Sequence, residues 1–230
     1  MKKTSEDRYA NRLDADGSNL AAMFRFLSDS QPSVKERLLE FLRAAIEGVA
    51  DVRCEPFGRG IELRFDTQRV GNESATLWRP GEPDGSNGPL HRASGTSFYA
   101  SQMSDGTLRT LGMLVAVFGA AQSRPPVSFV SIEEPETALH PHATAVLVDA
   151  FREVSRQTQV VITTHSPCLL DDLDPDLDGI LVAQSIDGQT RMGPIDAASR
   201  ETIRQGLFSA GQLLDMNQLE PSHIAQSTGA

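Results

Sequence analysis

The chain has 230 residues, of which 39% are hydrophobic and 23% charged, and its formal net charge at pH 7 is −10. These proportions are typical of a soluble globular protein that is large enough to bury a core. The excess of acidic residues argues against broad nonspecific binding of nucleic acids or anionic membranes by this chain.

Cysteine usage and apolar runs set further limits. The two cysteines, Cys54 and Cys168, form neither a disulfide framework nor a metal-ligand spacing, which favours reduced thiols. Residues 1–17 lack the apolar centre of a signal peptide. The longest apolar run, residues 111–121, is too short to span a bilayer. We therefore expect a cytoplasmic protein without a membrane partner.

Two helices are predicted near the start of the chain. Residues 17–27 and 34–47 each place apolar side chains at helical spacing. Ser33 and Glu36 form a capping-box pattern at the start of the second helix, and Gly48 is suited to end it.

Strand-like runs follow these helices at residues 52–56, 60–66 and 76–79. In the second run apolar and charged residues alternate, which predicts a strand with one face in water. We expect the three runs to form a small antiparallel arm. Residues 80–97 are rich in Gly, Pro and Ser, which predicts a loop.

A longer helix is predicted over residues 104–121, with apolar side chains at helical spacing. Ser104, Asp105 and Gly106 then lie at its N-terminus, where free N–H groups and the helix dipole favour an anion. Gly106 also allows a close approach of the backbone. An ordinary N-cap explains the same residues without any ligand.

A βαβ unit is predicted over residues 127–167. Two short runs rich in Val and Ile, residues 127–132 and 159–164, flank an amphipathic helix. This arrangement favours parallel, buried strands that are joined by a right-handed crossover.

Charged and polar residues follow both runs of this unit. Glu133 and Glu134 come at the end of the first run, and His165 follows the second. Ligands of open α/β sheets bind beyond the carboxyl ends of the strands, so one crevice could collect all three residues. Adjacent carboxylates suit Mg²⁺ and an activated water, and a nearby histidine suits a phosphate.

The last part of the chain predicts smaller elements. Residues 171–178 are strongly acidic, and we interpret them as a solvated turn, with a metal site as the alternative. Strands are expected at residues 179–185 and 190–195, joined by an Asp-Gly turn. Helical patterns follow at residues 201–207 and 212–216.

Three motifs in the central part of the chain resemble those of one family. Residues 132–141, IEEPETALHP, resemble the Walker B and D-loop segment of ABC-type ATPases. Residues 163–167, TTHSP, resemble the switch-histidine motif, and residues 101–109, SQMSDGTLR, resemble the signature motif. The motifs are most similar to those of predicted AAA-type ATPases related to chromosome-maintenance and recombination ATPases. The resemblance extends over roughly residues 14–220.

The resemblance implies an α/β fold, namely a partial P-loop NTPase of the ABC-ATPase head type. Parallel core strands would be combined with a small helical and antiparallel β insertion. Residues 1–100 would form this arm or insertion. Residues 101–230 would form the C-terminal core, with the signature, Walker B, D-loop and switch histidine.

The resemblance also implies roles for residues of the central unit, with ATP and Mg²⁺ as cofactors. Glu133 occupies the Walker B position and would hold Mg²⁺, directly or through water. Glu134 would polarise the attacking water, and His165 would sense the γ-phosphate. His140 belongs to the D-loop and would help to couple two subunits.

The signature motif implies a partner. Ser104 and Gly106 match the Ser and the second Gly of the family motif, and Asp105 replaces the usual first Gly. In the family this motif contacts the γ-phosphate of nucleotide held by the opposite subunit. A homodimer or a partner ATPase subunit is therefore expected, and a nuclease or DNA-processing partner is compatible with the family.

One family element has no match. A phosphate-binding loop with Gly-Lys-Ser or Gly-Lys-Thr does not occur, and the only lysines are Lys2, Lys3 and Lys35. That loop supplies most of the groups that hold the β- and γ-phosphates. Three explanations are open: the chain is the C-terminal portion of a longer or split ATPase, it pairs with a subunit that brings the loop, or it no longer turns over ATP.

Two other classes of function compete with an ATPase. A metal-dependent hydrolase would use His140, His142, His165 and Glu134 as transition-metal ligands. A noncatalytic interaction subunit would use the ABC-like surface to dimerise or to dock a partner. Stoichiometric zinc would favour the first alternative, and ATP-independent partner binding would favour the second.

Overall fold

The computed structural model describes residues 5–6, 12–58, 60–67, 96–125, 127–174, 179–186 and 188–222. The strand expected at residues 76–79, most of the loop expected at 80–97, and residues 175–178 of the acidic segment lie outside this description. The chain divides into two compact units. The first comprises Met1–Val130 and Ala150–Val160, and the second comprises Ser131–Asp149 and Val161–Ala230.

The described part of the chain forms seven α-helices and eight strands. The helices are α1 (Leu20–Ser30), α2 (Pro32–Ala45), α3 (Asp105–Gln122), α4 (Pro141–Ser155), α5 (Pro167–Asp171), α6 (Ala197–Arg204) and α7 (Ala210–Asp215), with a short 3₁₀ helix at Ala100–Gln102. The strands are β1 (Ser5–Glu6), β2 (Val49–Phe57), β3 (Gly60–Thr67), β4 (Ser97–Tyr99), β5 (Phe129–Glu133), β6 (Gln159–Thr163), β7 (Leu181–Ile186) and β8 (Gln189–Pro194).

The first unit contains an antiparallel sheet, as the alternating sequence predicted. Strand β3 pairs with β2 on one side, and β1 and β4 pair with successive parts of β3. The apolar residues of β3 (Ile61, Leu63 and Phe65) are buried, while the charged residues between them are half-buried. Helices α1 and α2 pack against this sheet, and α3 packs against both helices. Apolar burial by these helices is the main stabilising contribution.

The start of α2 differs from its prediction. The helix begins at Pro32, with Gln31 at the N-cap and no capping hydrogen bond from a side chain. The expected capping box of Ser33 and Glu36 is therefore wrong. Proline is favoured in the first turn, because its φ is already helical and its missing N–H would have no partner there. The helix ends at Ala45, and Gly48 lies in the following turn with φ +85°.

Strands β5 and β6 form a parallel pair, as predicted. The amide of Gln159 donates to the carbonyl of Ser128 near the strand starts, and the amide of Glu134 donates to the carbonyl of Thr163 at the strand ends. The starts of the two strands therefore lie side by side, and so do their ends. Helix α4 is the crossover that connects them.

The expectation that these strands are buried is wrong. Residues along each strand alternate between exposed and half-buried, and Phe129 and Val161 are 51% and 37% exposed. Because alternate residues of a strand point to opposite faces, one face of each strand remains open to solvent.

The second unit has a core built from its C-terminal elements. Strands β7 and β8 form the expected hairpin, with Gly188 at φ +75° in the turn. Helices α6 and α7 begin earlier than their sequence patterns suggested, because Asp196 and Ser209 cap them with side-chain hydrogen bonds. The buried cluster of this unit comprises Leu170, Val182, Ile195, Ala210, Leu213 and Leu219. None of the helices in the described part of the chain is long and apolar enough to cross a membrane.

Candidate functional site

Glu134 is the first residue after β5 and has an unusual backbone conformation. Its φ is +45°, in the left-handed region that residues other than glycine rarely adopt. The amide of Glu134 donates to the carbonyl of Thr163 over 2.9 Å, which continues the β5–β6 pairing by one hydrogen bond. This conformation costs on the order of 1 kcal/mol, and such strain is concentrated at functional sites.

The structure brings Glu134 and His165 together. Nε2 of His165 lies 3.8 Å from Oε1 of Glu134. That distance is too long for a hydrogen bond. The two side chains form an ion pair only when the imidazole is protonated. The side chain of Glu134 is 38% exposed and that of His165 is 94% exposed, so both can meet a ligand from solvent.

Glu133 is the last residue of β5 and is exposed. Mg²⁺ in a nucleotide site takes one or two protein carboxylates and fills its other positions with phosphate oxygens and water. An accessible carboxylate at the carboxyl end of a parallel strand fits that requirement. Glu133 is therefore suited to hold Mg²⁺, with Glu134 following it in the sequence.

The loop after β6 is fixed by a side-chain network. Oγ1 of Thr164 donates a short hydrogen bond to Oε1 of Glu136 and accepts one from the amide of Ser166 over 2.9 Å. Oγ of Ser166 in turn accepts from the amide of Leu169 at the start of α5. The other oxygen of Glu136, Oε2, is buried and has no hydrogen-bond partner among the described residues.

Sequence reasoning gave no role to Glu136 or Thr164, although both lie within the motifs it singled out. A signal was present, because each residue comes shortly after one of two neighbouring parallel strands. The carboxyl ends of such strands meet at one edge of the sheet. A carboxylate and a hydroxyl in those places are therefore a candidate hydrogen-bonded pair.

His140 lies at the N-terminus of α4. Its Nδ1 accepts a hydrogen bond from the amide of His142 over 3.3 Å, and its carbonyl accepts from the amide of Ala143 over 2.9 Å. An imidazole nitrogen that accepts a hydrogen bond carries no proton, so the proton of a neutral ring is on Nε2. Pro141 is the first residue of the helix, where its missing N–H needs no partner.

The predicted signature residues lie at the N-terminus of α3, in the first unit. Ser104 is the N-cap, and its Oγ accepts from the amide of Thr107 over 3.1 Å. Asp105 and Gly106 form the first turn, and Asp105 is exposed. The helix therefore starts where the sequence predicted, with its cap satisfied by a side chain.

The transition-metal alternative finds no support in the described residues. Within that part of the chain, no group of three or more His, Cys, Asp or Glu residues is placed to hold a metal ion. His140, His142, His165 and Glu134 are all described, and they do not form such a group.

Solved structures with a similar architecture show which fold this chain has. An SMC ATPase structure described in terms of ATP-driven dimerization and DNA-stimulated activation matches with a TM-score of 0.51 at 13% identity, over 80% of this chain and 96% of that chain. Smc head domains from Pyrococcus furiosus and Pyrococcus yayanosii also match with TM-scores of 0.51, at 12% and 13% identity over 80% of this chain. The matches cover only 40% and 30% of those longer chains. The fold is that of a P-loop NTPase.

A family model identifies the particular group. Residues 1–171 match the family described as "AAA domain, putative AbiEii toxin, Type IV TA system", and the chain belongs to this family. The matched range includes the candidate signature, both glutamates at the end of β5 and His165. Membership supports a general ATP-binding ATPase function. No curated protein matches the sequence.

Proposed function

We propose that this chain takes part in Mg²⁺-dependent ATP hydrolysis of the ABC type, with the signature motif acting across a dimer. In this proposal residues 101–230 form the ATPase core, and residues 1–100 form a helical and β arm. The observation that carries the proposal is the strained Glu134, whose carboxylate lies 3.8 Å from Nε2 of His165 at the ends of two parallel strands.

Each residue of this group has a chemical task in the proposal. Mg²⁺ would neutralise charge on the β- and γ-phosphates, and Glu133 would hold it directly or through water. Glu134 would orient the attacking water and draw on its proton. His165 would donate a hydrogen bond from Nε2 to the γ-phosphate, which its exposure permits.

The N-terminus of α3 would complete the site of another subunit. The dipole of α3 would favour a γ-phosphate at this helix N-terminus, near Ser104, Asp105 and Gly106. His140, at the start of α4, would help to couple the two subunits through the D-loop. A homodimer or a partner ATPase subunit follows from this arrangement, and a nuclease or DNA-processing partner is compatible with it. The dimerization described for a similar SMC ATPase is consistent with the proposal.

The decisive experiment compares ATP turnover by the wild-type chain and by Glu134→Gln. The amide keeps the size of the side chain but cannot accept the proton of water. We expect turnover to fall on the order of 10²–10⁴-fold while ATP binding persists. Glu47→Gln, at an exposed position outside the site, is the matched control. Equal turnover in wild type and Glu134→Gln would remove Glu134 from the mechanism.

A second candidate is a noncatalytic subunit that docks a partner carrying the phosphate-binding loop. It is supported by the absence of a Gly-Lys-Ser or Gly-Lys-Thr sequence. Lys35 does not replace the lysine of that loop, because it lies within α2. Its Nζ is 3.7 Å from Oδ1 of Asp51 and 5.9 Å from the centroid of the Phe24 ring. Calorimetry of Mg²⁺-ATP binding separates the candidates. Binding of Mg²⁺-ATP by this chain favours ATP hydrolysis. Partner binding that does not depend on ATP favours the noncatalytic subunit.

A further inference from the structure

We propose that Glu136 is a positioning residue, which fixes the loop carrying His165 through the hydroxyl of Thr164. The inference rests on the proposed function, because it assigns a task to a neighbour of the proposed catalytic pair. Among the described residues, no side-chain hydrogen bond joins Glu136 or Thr164 to that pair, so they would act through the backbone.

A series of hydrogen bonds connects the loop after β5 to the loop after β6. The carboxylate of Glu136 accepts from Oγ1 of Thr164, and the same oxygen of Thr164 accepts from the amide of Ser166. These contacts restrain the residues on both sides of His165. The segment before His165 is also restrained, because the carbonyl of Thr163 accepts from the amide of Glu134.

His165 depends on this backbone for its position. Its side chain is 94% exposed, and Oε1 of Glu134 lies beyond hydrogen-bond distance of Nε2. Packing therefore does little to hold the imidazole, and the conformation of residues 164–166 decides where it points. A functional side chain is held accurately only when its supporting groups are themselves fixed.

The surroundings of the Glu136 carboxylate favour a positioning role over a purely packing role. Its Oε2 is buried without a partner among the described residues, and a buried acceptor in that state is destabilising. An apolar side chain of the same size would fill the space without that cost. The contribution specific to Glu136 is its Oε1, which fixes the hydroxyl of Thr164.

The test uses Thr164→Val, which keeps the shape of the side chain and removes its hydroxyl, and Glu136→Ala, which removes the acceptor. Thr137→Val is the matched control, because Thr137 is exposed in the turn after β5. The first readout is the imidazole resonance of His165 in the free chain, assigned with His165→Gln. We expect both test variants to shift or broaden this resonance and the control to leave it unchanged.

The second readout is ATP turnover. We expect kcat to fall about tenfold in Thr164→Val and Glu136→Ala, equivalent to about 1.4 kcal/mol, with a smaller change in KM. Thr164→Ser restores the hydroxyl and should recover most of the lost rate. Because Thr164→Val already removes the hydrogen bond to Glu136, the double variant should be little worse than Thr164→Val alone.

The two readouts separate this inference from the proposed function. The resonance requires no nucleotide, so it decides the positioning role even if wild-type chain shows no turnover. An unchanged His165 resonance in folded Thr164→Val and Glu136→Ala would overturn the inference. A changed resonance without wild-type turnover would support the positioning role and count against hydrolysis by this chain.

Discussion

The antiparallel sheet of the first unit and the parallel pair of β5 and β6 differ in how far their side chains are buried. In the antiparallel sheet of the first unit, β3 buries Phe65 completely beneath helices. In the parallel pair, β5 leaves Phe129 51% exposed and ends at Glu133, which Glu134 follows. The first sheet therefore contributes hydrophobic stability, whereas the second presents polar groups to solvent.

Backbone strain is also found next to the parallel pair of β5 and β6. Two of the three residues other than glycine with positive φ in the described chain, Glu134 and Ala138, lie in the turn after β5. Strain persists only where surrounding structure fixes it. The hydrogen bond of Glu134 to the last residue of β6, and that of Glu136 to the residue after it, provide such fixation.

The largest effect on stability should come from truncating the same residue type in the two sheets. Phe65→Ala removes a fully buried ring and should destabilise the chain by about 3–5 kcal/mol. Phe129→Ala removes an exposed ring and should cost less than about 1 kcal/mol. Urea denaturation measures both. Equal losses would show that the open face of β5 is covered in solution and would break the comparison.

A smaller loss is expected where α7 meets α5, the helix that follows the His165 loop. A Cβ on Gly211 would overlap the carbonyl oxygen of Pro167 and lie 2.6 Å from Oδ1 of Asp171. Gly211→Ala should therefore destabilise the second unit by about 1–3 kcal/mol. Gly179→Ala is the control, because no atom lies within 4 Å of its Cβ position. Thermal unfolding that ranks the variants equally would contradict the close packing.

The strained turn should respond in the opposite direction. Asparagine adopts positive φ more readily than glutamate, so Glu134→Asn should stabilise the fold by about 0.5–1 kcal/mol while removing the proposed catalytic carboxylate. Glu133→Asn, in the extended strand, should bring no gain. Chemical denaturation of the two variants measures this difference. A loss of stability in Glu134→Asn would mean that the side chain itself holds the turn.

The smallest expected effect is on the acid stability that a carboxylate of the antiparallel sheet contributes. Hydrogen bonds from Arg53 and then Ser97 lower the pKa of Asp66 below its ordinary value of 3.8, although burial raises it. A lowered folded pKa contributes stability above the unfolded value, and that contribution is lost as pH falls through the folded pKa. Asp66→Asn should therefore reduce the slope of Tm with pH below about 5. Parallel slopes in wild type and Asp66→Asn would exclude this contribution.

Much of the local fold could be read from spacing alone. Apolar periodicity located α1, α3 and the alternating strand β3, and the motif order pointed to the family that the chain matches. The start of α2 could not be read this way, because Pro32 competes with the capping pattern that follows it. The open faces of β5 and β6 were also missed, since a short apolar run looks the same whether one or both faces are covered.

The sequence by itself determined which residues lie at the ends of the two strands: Glu133 and Glu134 at one, and Thr164 and His165 at the other. Strand ends depend on local patterns of neighbouring residues, and these are visible in one dimension. Only the tertiary structure decided that Glu134 adopts a positive φ and that Glu136 accepts from Thr164. Both features arise from the pairing of two segments about 30 residues apart, and such pairing is decided by how the chain folds around α4.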